Sequence, residues 1–185
     1  MLFEFQWVNE EGIPGLNVWR LNALQTLVLR RIFLLTDENR EVPLTWSLKH
    51  AFSTSQICKI LAVKRSLNVE VAGMIGFLHD IHTMLTGSTI DHAKKASDKI
   101  ETIISDYNAE FSEKNKLITE KEKNLIIIAV SHHSEKSVIS TNPYIEMIKD
   151  VDCLDAVFNG MTPNSNRKNR LNTLFDELGL KNLKV

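Results

Sequence analysis

Apolar residues recur at every third or fourth position, and this repeat most limits how the chain can fold. In residues 17–36 the repeat consists of Val18, Leu21, Leu24, Val28 and Ile32. The spacing puts these side chains on one face of an α-helix, where they can pack against a core. Similar segments follow, separated by polar, glycine or proline breaks, and no strands alternate with them. The sequence therefore predicts an all-α protein.

Capping residues divide the rest of the chain into further helices. Thr45 is a candidate N-cap for a helix that ends near Ser66, and Asn68 is one for a helix that ends near Asp80. Thr119 opens a Thr-Glu-Lys-Glu sequence that matches a capping box. We predict about seven helices, in residues 17–36, 45–66, 68–80, 90–107, 119–130, 143–158 and 168–178.

The chain length of 185 residues suits one domain with a sizeable core. We expect residues 1–44 to form an N-terminal helical extension that packs on this core. Residues 45–160 would form the main domain, and residues 161–185 a C-terminal helix that completes it.

Charge and cysteine content exclude several classes of protein. Lys and Arg total 22 and Asp and Glu total 23, so the chain lacks the basic surface that binds duplex DNA or anionic membranes. No apolar run approaches the ~20 residues of a membrane helix, and the first residues lack the basic segment of a signal peptide. Cys58 and Cys153 form no CxxC pattern, which excludes a zinc ribbon and a disulfide framework. We expect a cytoplasmic protein.

Four ionisable residues lie on the apolar faces of predicted helices, and these are His50, His79, His133 and Asp152. Asp152, for example, shares a helical face with Ile148 and Ala156. An aspartate in an apolar environment is costly unless it is paired or bound to a metal. Helical bundles build metal sites from inward-facing histidine and carboxylate side chains on several helices, so the pattern predicts such a site.

Two glycines precede His79 within the same predicted helix. A glycine inside a helix costs about 0.5–1 kcal/mol relative to alanine. The close approach of a neighbouring helix would explain why Gly73 and Gly76 are present. We expect that approach to bring His79 and Asp80 near His50.

The order of His50, His79–Asp80 and Asp152 resembles the HD-domain superfamily of metal-dependent phosphohydrolases. The resemblance covers residues 46–158, which is most of the chain. It implies an HD-domain helical bundle over residues 45–160, in which these four residues bind a divalent metal. It also implies that Asp80 takes part in catalysis.

Three further histidines, His92, His132 and His133, resemble the additional ligands of superfamily members that bind two metals. In that case Asp80 would bridge the two ions. Consecutive residues point about 100° apart on a helix, so His132 and His133 reach one ion only where the helix ends or bends. His133 is favoured as the ligand, and His132 could instead donate a proton to the leaving group. The Gly-Tyr-Pro motif of the two-metal cyclic-dinucleotide phosphodiesterases is absent after His133, so their substrate is not implied.

The resemblance implies a phosphohydrolase that acts on a nucleotide or other small phosphoester through metal-activated water. Imidazole and carboxylate ligands suit one or two ions of Fe, Mn, Co, Ni or Zn, and Mg stays open. A diiron oxygenase on the same scaffold and a catalytically silent ligand-binding or regulatory protein are the alternatives. A nuclease is less favoured because the chain has no basic stripe. The sequence leaves a homodimer open.

A phosphate substrate needs positively charged or polar partners in its pocket. The candidates for substrate binding are Lys136, His82 and Lys149. A small basic patch follows the last predicted ligand and consists of Arg167, Lys168 and Arg170. Asp155 lies one turn after Asp152, where it could orient a ligand or a water molecule.

Overall fold

The computed structural model describes residues 17–113, 116–180, 182–183 and 185. These residues contain eight α-helices and no strand, which confirms the predicted all-α class. The helices are α1 (Trp19–Ile32), α2 (Leu44–Lys64), α3 (Val69–Leu78), α4 (Ile81–Thr86), α5 (His92–Glu110), α6 (Glu120–Ser131), α7 (Pro143–Phe158) and α8 (Ser165–Leu178).

Side-chain caps fix several helix ends where the sequence placed them. Asn68 accepts a hydrogen bond from the backbone N–H of Val71 at the start of α3. Thr119 and Glu122 form a complete capping box at the start of α6. Thr45, however, is not a cap, because α2 begins at Leu44, whose N–H donates to the carboxylate of Asp37 (2.6 Å).

Helix α4 was not predicted, and it accounts for the eighth helix. It has six residues, which is too few to show a helical repeat of apolar positions. The chain turns at His79 and Asp80 between α3 and α4, so these two residues lie at a bend and not inside a helix.

Helix α3 lies at the centre of the bundle, with every residue from Glu70 to Leu78 buried. It packs most extensively against α2, and it also contacts α1, α6 and α7. The Thr54 hydroxyl of α2 donates to the Gly76 carbonyl (2.9 Å), and the Ser55 hydroxyl donates to the Gly73 carbonyl (2.8 Å). The expected close approach at the two glycines is therefore confirmed.

Ion pairs attach the outer helices to this centre. Arg170 of α8 contacts Glu146 and Asp150 of α7, each at 2.9 Å. Arg20 of α1 contacts Glu70 of α3 at 2.7 Å. The division of the chain into an extension, a main domain and a completing helix stays a prediction.

The described residues include no helix that is both long and apolar enough to cross a membrane.

Substitution of Gly76 tests the α2–α3 contact. A Cβ atom at Gly76 would lie 2.8 Å from the Thr54 carbonyl oxygen and 2.9 Å from the Ser55 Cα, so the two backbones would have to separate. We expect Gly76→Ala to lower the free energy of unfolding by about 1–3 kcal/mol, as overpacked cores do. Urea denaturation followed by circular dichroism measures this change.

Gly73→Ala is the matched control on the same helix. The nearest neighbours of its new Cβ are side-chain atoms of Leu21 and Lys59, which can move more easily than backbone. The gain in helix propensity of about 1 kcal/mol offsets that movement, so we expect a smaller loss of stability. Equal losses in the two variants would contradict a backbone contact at Gly76.

Candidate metal centre

The carboxylate of Asp80 lies between two pairs of histidines. Its Oδ2 atom is 3.7 Å from His50 Nε2 and 3.5 Å from His79 Nε2. Its Oδ1 atom is 3.2 Å from His92 Nε2 and 3.3 Å from His133 Nε2. Each oxygen of one carboxylate thus faces its own pair of imidazoles.

Within each pair, the two Nε2 atoms are close together. They are 3.0 Å apart for His50 and His79, and 3.1 Å apart for His92 and His133. Two nitrogen ligands about 2.1 Å from one ion and at right angles to each other would be about 3.0 Å apart. Each histidine pair forms a group with Asp80, and the candidate ligand atoms of each group all lie within 4.8 Å of one another. Each group therefore has the dimensions of a site for one ion.

The opposite nitrogen of each ring, Nδ1, faces an oxygen acceptor of the protein. The Nδ1 atom of His50 faces the Asp155 carboxylate (2.5 Å), and that of His79 faces the Gly76 carbonyl (2.8 Å). The Nδ1 atom of His92 faces the Thr89 carbonyl (3.0 Å), and that of His133 faces the Val130 carbonyl (2.7 Å). A ring that donates its Nδ1–H keeps a lone pair on Nε2. This is the orientation in which histidine binds a metal.

Asp80 is the N-cap residue of α4, but its side chain makes no capping hydrogen bond. Its buried Oδ1 atom accepts no hydrogen bond from any described residue. An unsatisfied buried carboxylate oxygen is costly, and a bound cation would remove that cost. The residues present therefore fit a divalent metal.

Asp152 on α7 lies beside the first pair. Its Oδ1 atom is 3.4 Å from His50 Nε2, and its Oδ2 atom accepts a hydrogen bond from Lys136 Nζ (2.5 Å). The same Nζ atom donates to the backbone carbonyl of His133 (2.6 Å). Lys136 thus connects α7 to the turn that follows α6.

The charges of this cluster shift the pKa values of its members in opposite directions. Burial disfavours the charged ring of His50, but Asp152, Asp155 and Asp80 outweigh it and raise its pKa to about 10. Burial lowers the pKa of His79 to about 4, although Asp80 opposes the shift. Burial would raise the pKa of Asp80, but the imidazoles around it hold that pKa well below its usual value.

Residues that precede α2 support His92. The Glu41 carboxylate accepts hydrogen bonds from the backbone N–H (2.9 Å) and the hydroxyl (2.6 Å) of Thr89, whose carbonyl faces His92 Nδ1. Arg40 donates to two carbonyls of α4, at 2.9 Å each. The segment that precedes α2 thus helps to position His92, which belongs to the second histidine pair.

A cleft of about 280 Å³ opens onto the cluster. This volume lies just below the range for small-molecule sites, which is about 300–1,000 Å³. Lys136 and Arg167 line it with positive charge, and Val42, Trp46 and Met161 contribute apolar surface. The cleft therefore suits a small anionic ligand with an apolar part.

The structure brings six of the seven predicted metal ligands together, and His132 is the exception. Helix α6 ends at Ser131, and the His133 ring turns inward and is buried. Because the two consecutive side chains point apart, the His132 ring is exposed, and its Nδ1 atom lies 3.0 Å from the Ile128 carbonyl oxygen. The site that the structure assembles does not include His132, either as ligand or as proton donor.

Two predicted substrate-binding residues also lie outside the cleft. Lys149 is buried, and its Nζ atom donates to the Val138 carbonyl (2.8 Å) and to Glu146 (3.3 Å). His82 lies in α4 and does not line the cleft. Lys136 does line it.

Of the basic patch, Arg167 alone lines the cleft. Lys168 is exposed, and Arg170 is held by Glu146 and Asp150. The patch is therefore not a single phosphate-binding surface.

Sequence reasoning missed three residues around His50. Trp46 lines the cleft with its ring stacked near that of His50, with 6.0 Å between centroids. Ser53 and Asn159 both donate hydrogen bonds to the Asp155 carboxylate. Helical spacing could have found them, because each lies three or four residues from His50 or Asp155 on the same helix or its end.

A family model described as HD domain matches residues 47–157. The match covers more than half of the chain, so the protein belongs to the HD-domain family. HD domains bind divalent metals and are commonly metal-dependent hydrolases. No curated protein and no solved structure matches the chain.

The pKa shifts predict how the metal-free protein titrates. We expect His50 to stay protonated until about pH 10, and His79 to stay neutral between about pH 5 and 9. The raised pKa of His50 stabilises the fold fully below its unfolded pKa of about 6.5, and this contribution is lost as the pH rises through about 10. ¹⁵N NMR of the histidine side chains measures both rings.

Asp155→Asn removes one of the charges that raise the pKa of His50, so it should lower that pKa without changing the neutral state of His79. A His50 ring that titrates near its ordinary value in the unsubstituted, metal-free protein would contradict the ion pairs described above.

Proposed function

We propose that this protein is a metal-dependent phosphohydrolase that acts on a nucleotide or other small phosphoester. The observation that carries the proposal is the position of Asp80, whose two oxygens face two separate histidine pairs at the floor of a cleft. Two ions that share one carboxylate are a common arrangement in enzymes that cleave phosphate esters. Membership of the HD-domain family supports the same reaction class.

The proposed ligands of the first ion are His50, His79, Asp80 and Asp152, and those of the second are Asp80, His92 and His133. This mixture of imidazole and carboxylate suits Fe, Mn, Co, Ni or Zn, and Mg is the less suited choice. When bound, such ions lower the pKa of water and polarise a phosphoryl oxygen.

The chain's own residues hold this arrangement in place. Asp155 accepts the Nδ1–H of His50, so the Nε2 atom faces Asp80 and binds a metal there once the metal displaces its proton. Lys136 binds one oxygen of Asp152, so that the other oxygen faces His50. These contacts position the ligands before any substrate enters, which reduces the reorganisation that binding requires.

A hydrolysis assay tests the proposal. The protein loaded with Mn²⁺, Fe²⁺ or Co²⁺ should release alcohol and phosphate from small phosphate esters, equally under air and under argon. Asp80→Asn should lower the rate by at least about 100-fold, because one group loses its carboxylate oxygen and both groups lose the negative charge. His132→Gln should retain activity, because that ring lies outside the cluster.

The comparison between air and argon distinguishes a phosphohydrolase from the diiron oxygenase that the same ligands could support. Oxygen consumption without phosphate release would favour the oxygenase and contradict the proposal. No turnover and no metal uptake would favour the catalytically silent alternative.

Metal analysis of variants tests the assignment of ligands to the two groups. Elemental analysis should find about two ions per chain in the unsubstituted protein. We expect His92→Ala to retain one ion, and Asp80→Ala to lose the most, because its carboxylate faces both groups. Full metal content in Asp80→Ala would contradict a bridging role.

A further inference from the structure

Arg167 differs from the other cations near the cleft because its guanidinium group has no hydrogen-bond or ion-pair partner among the described residues, although its backbone N–H donates to Asn164. It lines the cleft from the first turn of α8, and its side chain is partly buried. Lys136 is already paired with Asp152, and Arg170 is paired with Glu146. A guanidinium group binds two oxygens of one phosphate or carboxylate through parallel hydrogen bonds. Arg167 is therefore placed to bind an anion that enters the cleft.

This residue lies beyond the segment that matches the HD family, which ends at residue 157. Helix α8 is nevertheless fixed to the family segment, since Arg170 contacts Glu146 and Asp150 of α7. Arg167 thus lines the cleft from a helix that is ion-paired to α7, and not from a loop.

We propose that Arg167 binds the phosphoryl group of the substrate, and that this substrate is a monoester with a single phosphoryl group. The inference rests on the proposed phosphohydrolase function. A monoester has three non-bridging oxygens, so it can give two to Arg167 and present one to the histidine–carboxylate floor. A diester has only two non-bridging oxygens, so binding both to Arg167 leaves none for the floor.

The size and charge of the cleft support the same substrate class. Its volume of about 280 Å³ leaves room for one phosphoryl group and a small organic group. The described lining offers no second unpaired cation for a further phosphoryl group. Val42, Trp46 and Met161 provide an apolar or aromatic surface for the organic part.

The reaction balances with water as the only co-reactant. The water oxygen forms a bond to phosphorus, and the bond from phosphorus to the ester oxygen breaks. One proton of the water ends on the alcohol and the other on inorganic phosphate. Arg167 holds the non-bridging oxygens and exchanges no proton, because a guanidinium group stays protonated.

The experiment compares p-nitrophenyl phosphate with bis(p-nitrophenyl) phosphate as substrates of the metal-loaded protein. The unsubstituted protein should prefer the monoester. Arg167→Gln should lower kcat/KM for the monoester by about 10- to 100-fold, mainly through KM, and leave any diester hydrolysis unchanged. Arg167→Lys should recover part of the loss, because it restores the charge without the two parallel hydrogen bonds. Lys168→Gln is the matched control, since its side chain is exposed on the same helix.

Inorganic phosphate provides a second measurement that does not depend on turnover. Its dissociation constant, measured by calorimetry on the metal-loaded protein, should rise about 10- to 100-fold in Arg167→Gln and stay constant in Lys168→Gln. Ester hydrolysis that Arg167→Gln leaves unchanged would overturn this inference and not the proposed function. Faster hydrolysis of the diester than of the monoester would do the same. A metal-loaded protein that hydrolyses neither ester and binds no phosphate would overturn the proposed function as well.

Discussion

The Gly76 carbonyl connects the packing of this bundle to its candidate site. It accepts a hydrogen bond from the Thr54 hydroxyl of α2, and it also accepts the Nδ1–H of His79. Because Gly76 has no side chain, α2 approaches closely enough for the first contact. The second contact directs His79 Nε2 to within 3.0 Å of His50 Nε2 on α2. One helix contact thus sets the geometry of the first histidine pair.

The cluster is also costly for the metal-free fold, since it collects acidic and imidazole groups in a mostly buried region. The protein offsets part of this cost with its own groups. Lys136 pairs with Asp152, and His50 carries a proton that Asp152 and Asp155 stabilise. A metal would displace that proton, because a histidine ligand must be neutral. Metal binding and protonation of His50 therefore compete for the same position.

Local patterns in the sequence predicted the parts of the site that depend on one helix at a time. The apolar face of α7 placed Asp152 inward, and the apolar face that His133 shares with Ala129 and Ile126 favoured it over His132. The presence of Gly73 and Gly76 indicated the α2–α3 contact. The grouping of His92 with His133 came only from the family resemblance, because no local pattern relates residues on different helices.

The contacts that the sequence did not predict have the same physical cause, because they join parts of the chain that no local pattern relates. Lys149 lies three residues before Asp152, and this spacing makes it a candidate for substrate binding. Spacing cannot reveal that the Lys149 amino group donates to the Val138 carbonyl instead. The hydrogen bonds from Thr89 to Glu41 likewise join distant parts of the chain that share no pattern.

Anomalous scattering from crystals grown with Mn²⁺ or Zn²⁺ tests whether Asp80 bridges two ions. A bridging Asp80 predicts two peaks about 3.5–4 Å apart, one beside each histidine pair with Asp80 between them. A single peak, with His92 and His133 away from it, would contradict a bridging carboxylate.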